Sequence, residues 1–338
     1  MAMFWFVILI VLLVAYAILD GFDLGVGVLH LAVARTDAER RTALNAIGPV
    51  WDANEVWLLG FGVGTFLAFP RAFAVGFSGF YLPLMVVLWL LMGRGVALEF
   101  RHHIADPLWQ GAWDVVFSVT SLLLALFYGI AAGNVVTGVP IGADGYFQGL
   151  FGWLLNPYAL VMGLFSVALL MLHGAYYLCL KADGPLGERA HRVAEPLWTV
   201  VLVLAIVLTV ATFALRPELL GNYRVYPIWL LAPLAAAVCL VVTRRAHQRR
   251  RYGAAFLATS GIIAALLTAT AIGAYPYLLR SQPFPERSLT VANAAAAPAG
   301  LAAATLWLLP GVFLIIVYQV VVYRVFAGKV RMDAGAHY

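Results

Sequence analysis

The sequence predicts an all-α integral membrane protein, a bundle of nine transmembrane helices with the N-terminus periplasmic and the C-terminus cytoplasmic. Three observations predict it. Of the 338 residues, 64% are hydrophobic and only 11% charged; with a mean hydropathy of +0.93, the chain has more apolar surface than one water-soluble core can bury. Apolar runs recur near residues 3–34, 49–70, 76–98, 113–133, 157–180, 196–215, 226–243, 253–275 and 300–326, each near the length of about 20 residues that a helix needs to cross hydrocarbon. The basic residues are also lopsided. Sixteen of the 21 Lys and Arg, Arg331 among them, fall after runs one, three, five and seven and in the C-terminal tail, against five (Arg71, Arg216, Arg224, Arg280 and Arg287) on the other side. Positive charge stays on the cytoplasmic side, which orients the chain, and a missed helix would scramble the asymmetry.

Each run then has its own justification. The first lacks a basic leading region and a small-residue cleavage site, so it is expected as a retained helix and not a signal peptide. Its apolar pattern continues to Ala34, which predicts a continuous helix of about 48 Å. Asp20 and Asp23 lie inside it, toward its inner half and on one face, and Gly21 and Gly25 form a G-x-x-x-G pair that lets another helix approach closely. The second run enters through GPVWDANEVWL, with Pro49 where a helix start tolerates proline and Asp52 and Glu55 sharing a face at i and i+3. The third ends in MGRGVALEFRHH, which brings Arg94, Glu99 and Arg101 to the same edge as counter-charges. The connections after runs four and eight are rich in Gly, Pro and Asn and too short for a separate domain, so residues 1–338 form a single integral membrane domain.

Ionisable groups in a bilayer are costly and usually face the bundle interior, pair, or line a path for protons or ions. Four acids, Asp20, Asp23, Asp52 and Glu55, face two obvious arginines, Arg94 and Arg101. Mutual neutralisation accounts for any one of them; for the set, a carboxylate left to carry a proton, and hence a proton-uptake path, is the sharper expectation. Trp51 and Trp57 flank Asp52 and Glu55 and are expected either as ordinary packing or as contacts with a partner subunit, its cofactor or a quinone.

Several function classes find no support. The basic residues punctuate apolar runs and form no stripe, so no nucleic-acid partner is expected. Cys179 and Cys239 stand alone inside apolar segments, with neither zinc nor disulfide spacing. Walker A, dinucleotide-loop and H-E-x-x-H motifs are missing from the sequence. Only His30 and His173 fall within runs, while His102, His103, His191, His247 and His337 fall in loops or the tail. The two inner ones are expected as hydrogen-bonded interior histidines, so no cofactor or metal is assigned to this chain.

The motifs LDGFDLGVG, GPVWDANEVWL, FSGFYLPL, RGVALEFR, GNVVTGVP and LLNPYALVMG resemble subunit II of cytochrome bd-type quinol oxidases, over nearly the whole chain; cyanide-insensitive oxidase subunit II is the same family. The resemblance implies a bacterial inner-membrane, multi-pass subunit without haem, paired pseudo-symmetrically with a subunit I that carries two b-type haems, haem d and the quinol-oxidising loop, and it leaves room for small accessory subunits. It further implies that Asp52 lies on a proton route toward those haems, with Asp20 and Asp23 nearby, Trp51 packed beside it and Arg101 among the charged positions. One departure is Ala53, where the family has Gly after the WD pair. The alternative readings are a secondary transporter or cation/proton antiporter, which would place acids near the midplane in both halves, and a purely structural assembly subunit.

Overall fold

A computed structural model describes residues 1–330; Arg331 and His337 lie outside the described residues. Among the described residues the main elements are twelve α-helices and one small hairpin: α1 (Ala2–Val33), α2 (Asp37–Ile47), α3 (Trp51–Ala68), α4 (Pro70–Gly79), α5 (Tyr81–Phe100), α6 (Pro107–Thr137), α7 (Pro157–Lys181), α8 (Gly184–Leu215), α9 (Gly221–Val225), α10 (Leu231–Gln248), α11 (Tyr252–Ala274), the antiparallel strands β1 (Tyr277–Leu279) and β2 (Leu289–Thr290), and α12 (Pro298–Val325). Eight of the helices are long and apolar enough to cross a membrane: α1, α5, α6, α7, α8, α10 with the turn before it, α11 and α12. The second predicted span, α3, is not among them, because Asp52, Asn54 and Glu55 crowd its first turns. It nevertheless runs the length of the bundle, from α2 at one end to Ala68, whose carbonyl accepts from the Ala296 N–H at the other.

α1 is continuous, as its apolar pattern requires, and packs against α3, α6, α7 and α11. α7 is enclosed along most of its length, whereas α8, α10 and α12 turn most of theirs outward. The α1–α7 seam is a backbone contact: a Cβ on Gly25 would lie 1.9 Å from the Leu170 carbonyl oxygen, and one on Gly174 would lie 2.4 Å from the Gly25 backbone. Any side chain there would force the helices apart, which is the use small residues have in bilayer packing.

Several features differ from the sequence expectation. The loop after α1 contains α2, whose start is fixed by a capping box in which Thr36 accepts from the Glu39 N–H and Glu39 accepts from the Thr36 N–H. Its apolar side, Ala43, Leu44, Ala46 and Ile47, is buried, and the Tyr177 hydroxyl donates to the Ala46 carbonyl at 2.9 Å. The third run divides at Phe80 into α4 and α5. α8 begins twelve residues earlier than expected, at Gly184, and α10 continues to Gln248, so His191 and His247 sit on helices and not in loops, their rings stacked 4.2 Å apart.

Arginine-rich connections gather at one end of the bundle: Arg189 pairs with Glu39, Arg250 with Glu188, and the Lys181 ammonium donates to the Phe326 carbonyl at 2.7 Å. At the opposite end the Trp5 indole donates to the Leu301 carbonyl at 3.3 Å, and Arg71 to the Asn293 carbonyl. Met1 and Val325 therefore lie at opposite ends.

Candidate functional site: two buried charge clusters

The first cluster joins α1, α3 and α5. Arg94 is 1% exposed and Asp20 fully buried. Its guanidinium grips the Asp20 carboxylate with both terminal nitrogens, Nη1 at 3.0 Å from Oδ2, and Nη2 also reaches Glu55 Oε1 at 3.4 Å. A planar guanidinium offers parallel donors to a carboxylate, which fixes both groups in position. Glu55 is the open end of the pair, with 18% of its side chain exposed. Above Asp20, the Tyr16 hydroxyl donates to the Tyr128 hydroxyl at 2.8 Å.

Asp23, also fully buried, is reached from α3 through Asn54. The Asn54 amide nitrogen donates to Asp23 Oδ2 at 2.7 Å and to the Leu19 carbonyl at 3.1 Å, while its oxygen accepts from Gln319 Nε2 at 2.7 Å and the Tyr323 hydroxyl at 3.0 Å. Asp23 Oδ1 is buried without a hydrogen-bond partner. An ionised carboxylate with one bare buried oxygen costs more than a neutral acid in the same place, because burial penalises a charge more than an unmatched neutral group.

Asp52 does not join these groups inside; it is exposed, while Asn54 on the other side of α3 is buried. Trp51 lies over Gly95 of α5, and Trp57 is 7% exposed within the core shared with Trp5, Leu9 and Leu12.

The second cluster sits where α1, α2, α5 and α6 meet. Asp114 is fully buried and accepts from Arg101 Nε at 2.6 Å, Arg101 Nη2 at 3.1 Å and Arg40 Nη1 at 3.0 Å, and His30 Nε2 lies 2.7 Å from it. Arg101 Nη2 also donates to Asp37 at 2.8 Å. Beside it, Glu39 lies outside the spans: burial would raise its carboxyl, but Arg189 and the Arg35 and Thr36 N–H groups outweigh this and hold it below the usual carboxylate value. The expected set of counter-charges is thus divided. Arg94 serves the acids of the first spans, Arg101 serves Asp114 and Asp37, and Glu99 stays exposed beside Asn45, Trp51 and His102.

Sequence reasoning passed over Asp114, Asn54, Gln319 and Tyr323. Asp114 had a signal, a Trp-Asp pair at the head of the fourth run like Trp51-Asp52, and Gln319 is a lone amide inside the ninth. Both nitrogens of His173 are engaged, with Thr259 at 2.7 Å and the Ile18 carbonyl at 3.1 Å, whereas His30 holds Asp114 through Nε2 and its Nδ1 is buried without a hydrogen-bond partner. Among the described residues no group of three His, Cys, Asp or Glu is gathered as a metal ion would require.

The fold and site define a polytopic helical membrane protein with acid-rich polar contacts inside the bundle. Comparison with known proteins narrows this. The family model for cytochrome bd terminal oxidase subunit II matches residues 1–326. Relatives include "Cytochrome bd ubiquinol oxidase subunit 2" of Bacillus subtilis, 33% identical over 96% of this chain and 96% of that one. "Cytochrome bd-I ubiquinol oxidase subunit 2" of Escherichia coli K12 is 32% identical over 86% of this chain and 84% of that one. The bd oxidase structure from Geobacillus thermodenitrificans shares the fold, with a TM-score of 0.78 at 22% identity, covering 96% of this chain and 98% of that chain. The chain belongs to the cytochrome bd terminal oxidase subunit II family and is a subunit of a terminal oxidase.

Proposed function

We propose that this chain is the haem-free second subunit of a quinol-oxidising bd-type complex in a bacterial inner membrane, paired with a subunit I that holds haem b and haem d, and that it supplies a cytoplasmic proton-uptake path through Asp52, Glu55, Asp20 and Asp23. The relatives from Escherichia coli and Bacillus subtilis, both named ubiquinol oxidase subunits, support the assignment to the complex. Nine spans are supported by connectivity: eight crossings would return the chain to its starting end, yet Met1 and Val325 lie at opposite ends, which favours α3 as a further crossing. The excess of sixteen basic residues against five supports a cytoplasmic position for the arginine-rich end.

The observation that carries the proton role is the charge count. Asp20 and Glu55 share one guanidinium, that of Arg94, and Asp23, held by Asn54, has no ion pair among the described residues. Were all three ionised, two negative charges would stay uncompensated in a low-dielectric interior, which is strongly unfavourable. The cluster therefore stores protons, and Glu55, with 18% of its side chain exposed and one turn from exposed Asp52, is where they exchange. Arg94 holds Asp20 in place, and Asn54 aims Asp23. Haem in the partner subunit supplies the electron and oxygen chemistry; the residues of this chain hold and pass protons. The transporter alternative is not favoured, given the family membership.

The test is turnover of the purified complex carrying Asp52→Asn or Glu55→Gln, measured per haem. Slowed oxygen consumption at unchanged haem content and subunit ratio is expected. Wild-type turnover in both variants would refute the path, and loss of haem in both would leave the purely structural reading as the better one.

A further inference from the structure

At the end of the bundle away from the acid clusters, the turn after α8 and the segment joining β1 to β2 enclose a cavity of about 340 Å³, lined by Arg216, Glu218, Tyr277, Arg280, Ser281 and Ser288, among others. Arg216 Nη1 lies 3.5 Å from Glu218 Oε1, and Arg280 donates to that same oxygen. Two guanidinium groups thus share one carboxylate oxygen, and the lining keeps one net positive charge. The Arg280 guanidinium is fixed over the Tyr277 ring, 4.3 Å from its centroid.

The donors there exceed the acceptors. Arg280 Nε and Ser281 Oγ are buried without a hydrogen-bond partner, although Ser281 is only 3% exposed and lines the cavity. Buried donors are rarely left unmatched. Gly138, at φ +88°, passes so close that a Cβ would lie 3.1 Å from Arg216 Nη2 and 3.2 Å from the Arg280 carbonyl oxygen, so the end of α6 packs against both arginines. Burial lowers the Arg216 guanidinium from its usual value, and the like charge of Arg280 adds to this against the pull of Glu218. An anion would relieve both.

We propose that this cavity binds a phosphate-class anion, carried by an anionic phospholipid headgroup or as free phosphate, with the Arg216 and Arg280 guanidiniums on its oxygens and the Ser281 hydroxyl donating to it. Guanidinium pairs match phosphate geometry, and a hydroxyl completes the set where a third oxygen points. The cavity opens at the end of α8, a helix long and apolar enough to span the bilayer. Tyr226 and Trp229, in the connection from α8 to α10, are 60% and 45% exposed, the kind of residue that marks the headgroup level.

The test uses the intact complex with its partner subunit, as wild type, Arg280→Gln, Arg280→Lys and Ser281→Ala, each checked for haem content. Native mass spectrometry after exchange into phosphatidylglycerol or phosphatidylcholine, and thermal melting with added inorganic phosphate, are the readouts. Expected is retention of phosphatidylglycerol over phosphatidylcholine by wild type, weakened about tenfold by Arg280→Gln and less by Arg280→Lys and Ser281→Ala, as loss of a charge-assisted contact implies. Stabilisation by inorganic phosphate that Arg280→Gln abolishes, with no lipid preference, would assign the site to the free anion. If neither probe distinguishes wild type from the variants, the proposal is overturned; should Arg280→Gln fail to assemble, Ser281→Ala decides alone.

Discussion

The two buried clusters are built from the same residue types, and they differ in charge balance. Arg94 is shared by two carboxylates, Asp20 and Glu55, and a third, Asp23, is buried with one bare oxygen and no ion pair among the described residues. Around Asp114 and Asp37 stand Arg101, Arg40, Arg41 and His30, with cations enough for every acid. A balanced cluster has no reason to change its proton content and acts as a clamp joining α1, α2, α5 and α6. An acid-rich one must take up protons to exist in the interior, and can give them back. Buried ion pairs alone do not indicate function; the surplus of one sign does.

The largest effect should come from breaking the acid-rich cluster at Arg94, its cation among the described residues. Arg94→Gln leaves Asp20 buried without its partner, a loss of about 3–5 kcal/mol, and the complex should fail to accumulate in the membrane. Adding Asp20→Asn to the same chain should restore assembly, because the uncompensated charge is gone. If the single variant assembles normally, the pair is not holding α1 to α5.

Next is the clamp. Asp114→Asn should cost about 2–3 kcal/mol, less than Arg94→Gln because Arg101 keeps Asp37 and Arg40, with 30% of its side chain exposed, can be hydrated. The comparison demands a particular signature: less complex per cell, but unchanged turnover per haem. A turnover defect in well-assembled Asp114→Asn would erase the distinction between the clusters. Glu55→Gln should show the converse, normal assembly with turnover reduced about tenfold, an increase of about 1.4 kcal/mol in the barrier. Stopped-flow proton uptake beside oxygen consumption would separate these two variants directly.

How far this division was legible in the sequence depends on the element. Apolar runs gave the spans, and the spacing of Asp20 with Asp23 and of Asp52 with Glu55 pointed to the acid-rich cluster. The partners were harder. Arg94 and Arg101 look adjacent in MGRGVALEFRHH, yet seven residues of helix separate them by about 10 Å along the axis, enough to place them in different clusters. Asp114 lies near a predicted span boundary, where an acid draws no notice, and only packing against α1 and α5 makes it fully buried. Asn54 is an uncharged neighbour of two acids; its importance follows from α12 delivering Gln319 and Tyr323 across some 265 residues of sequence. The T-D-A-E capping signal of α2 was present in the sequence, but the segment is too polar to register as a span.

The smallest effect lies at the edge of the clamp and tests its electrostatics by pH. Glu39 is held below the usual carboxylate value in the folded chain, chiefly by Arg189, which lies 2.5 Å away with 13% of its side chain exposed. A carboxyl depressed on folding binds its proton more weakly than in the unfolded chain, so its contribution is present above about pH 4.3, the unfolded value. It is lost as pH falls through the lower folded value. The pair is partly solvated, so the contribution is about 1 kcal/mol or less. In melting curves of the complex, Glu39→Gln should therefore be slightly less stable than wild type at pH 6, and the gap should close as pH falls below 4. A gap that persists unchanged into acid would show that Glu39 acts through its capping hydrogen bonds, which glutamine can keep only in part, and not through its charge on Arg189.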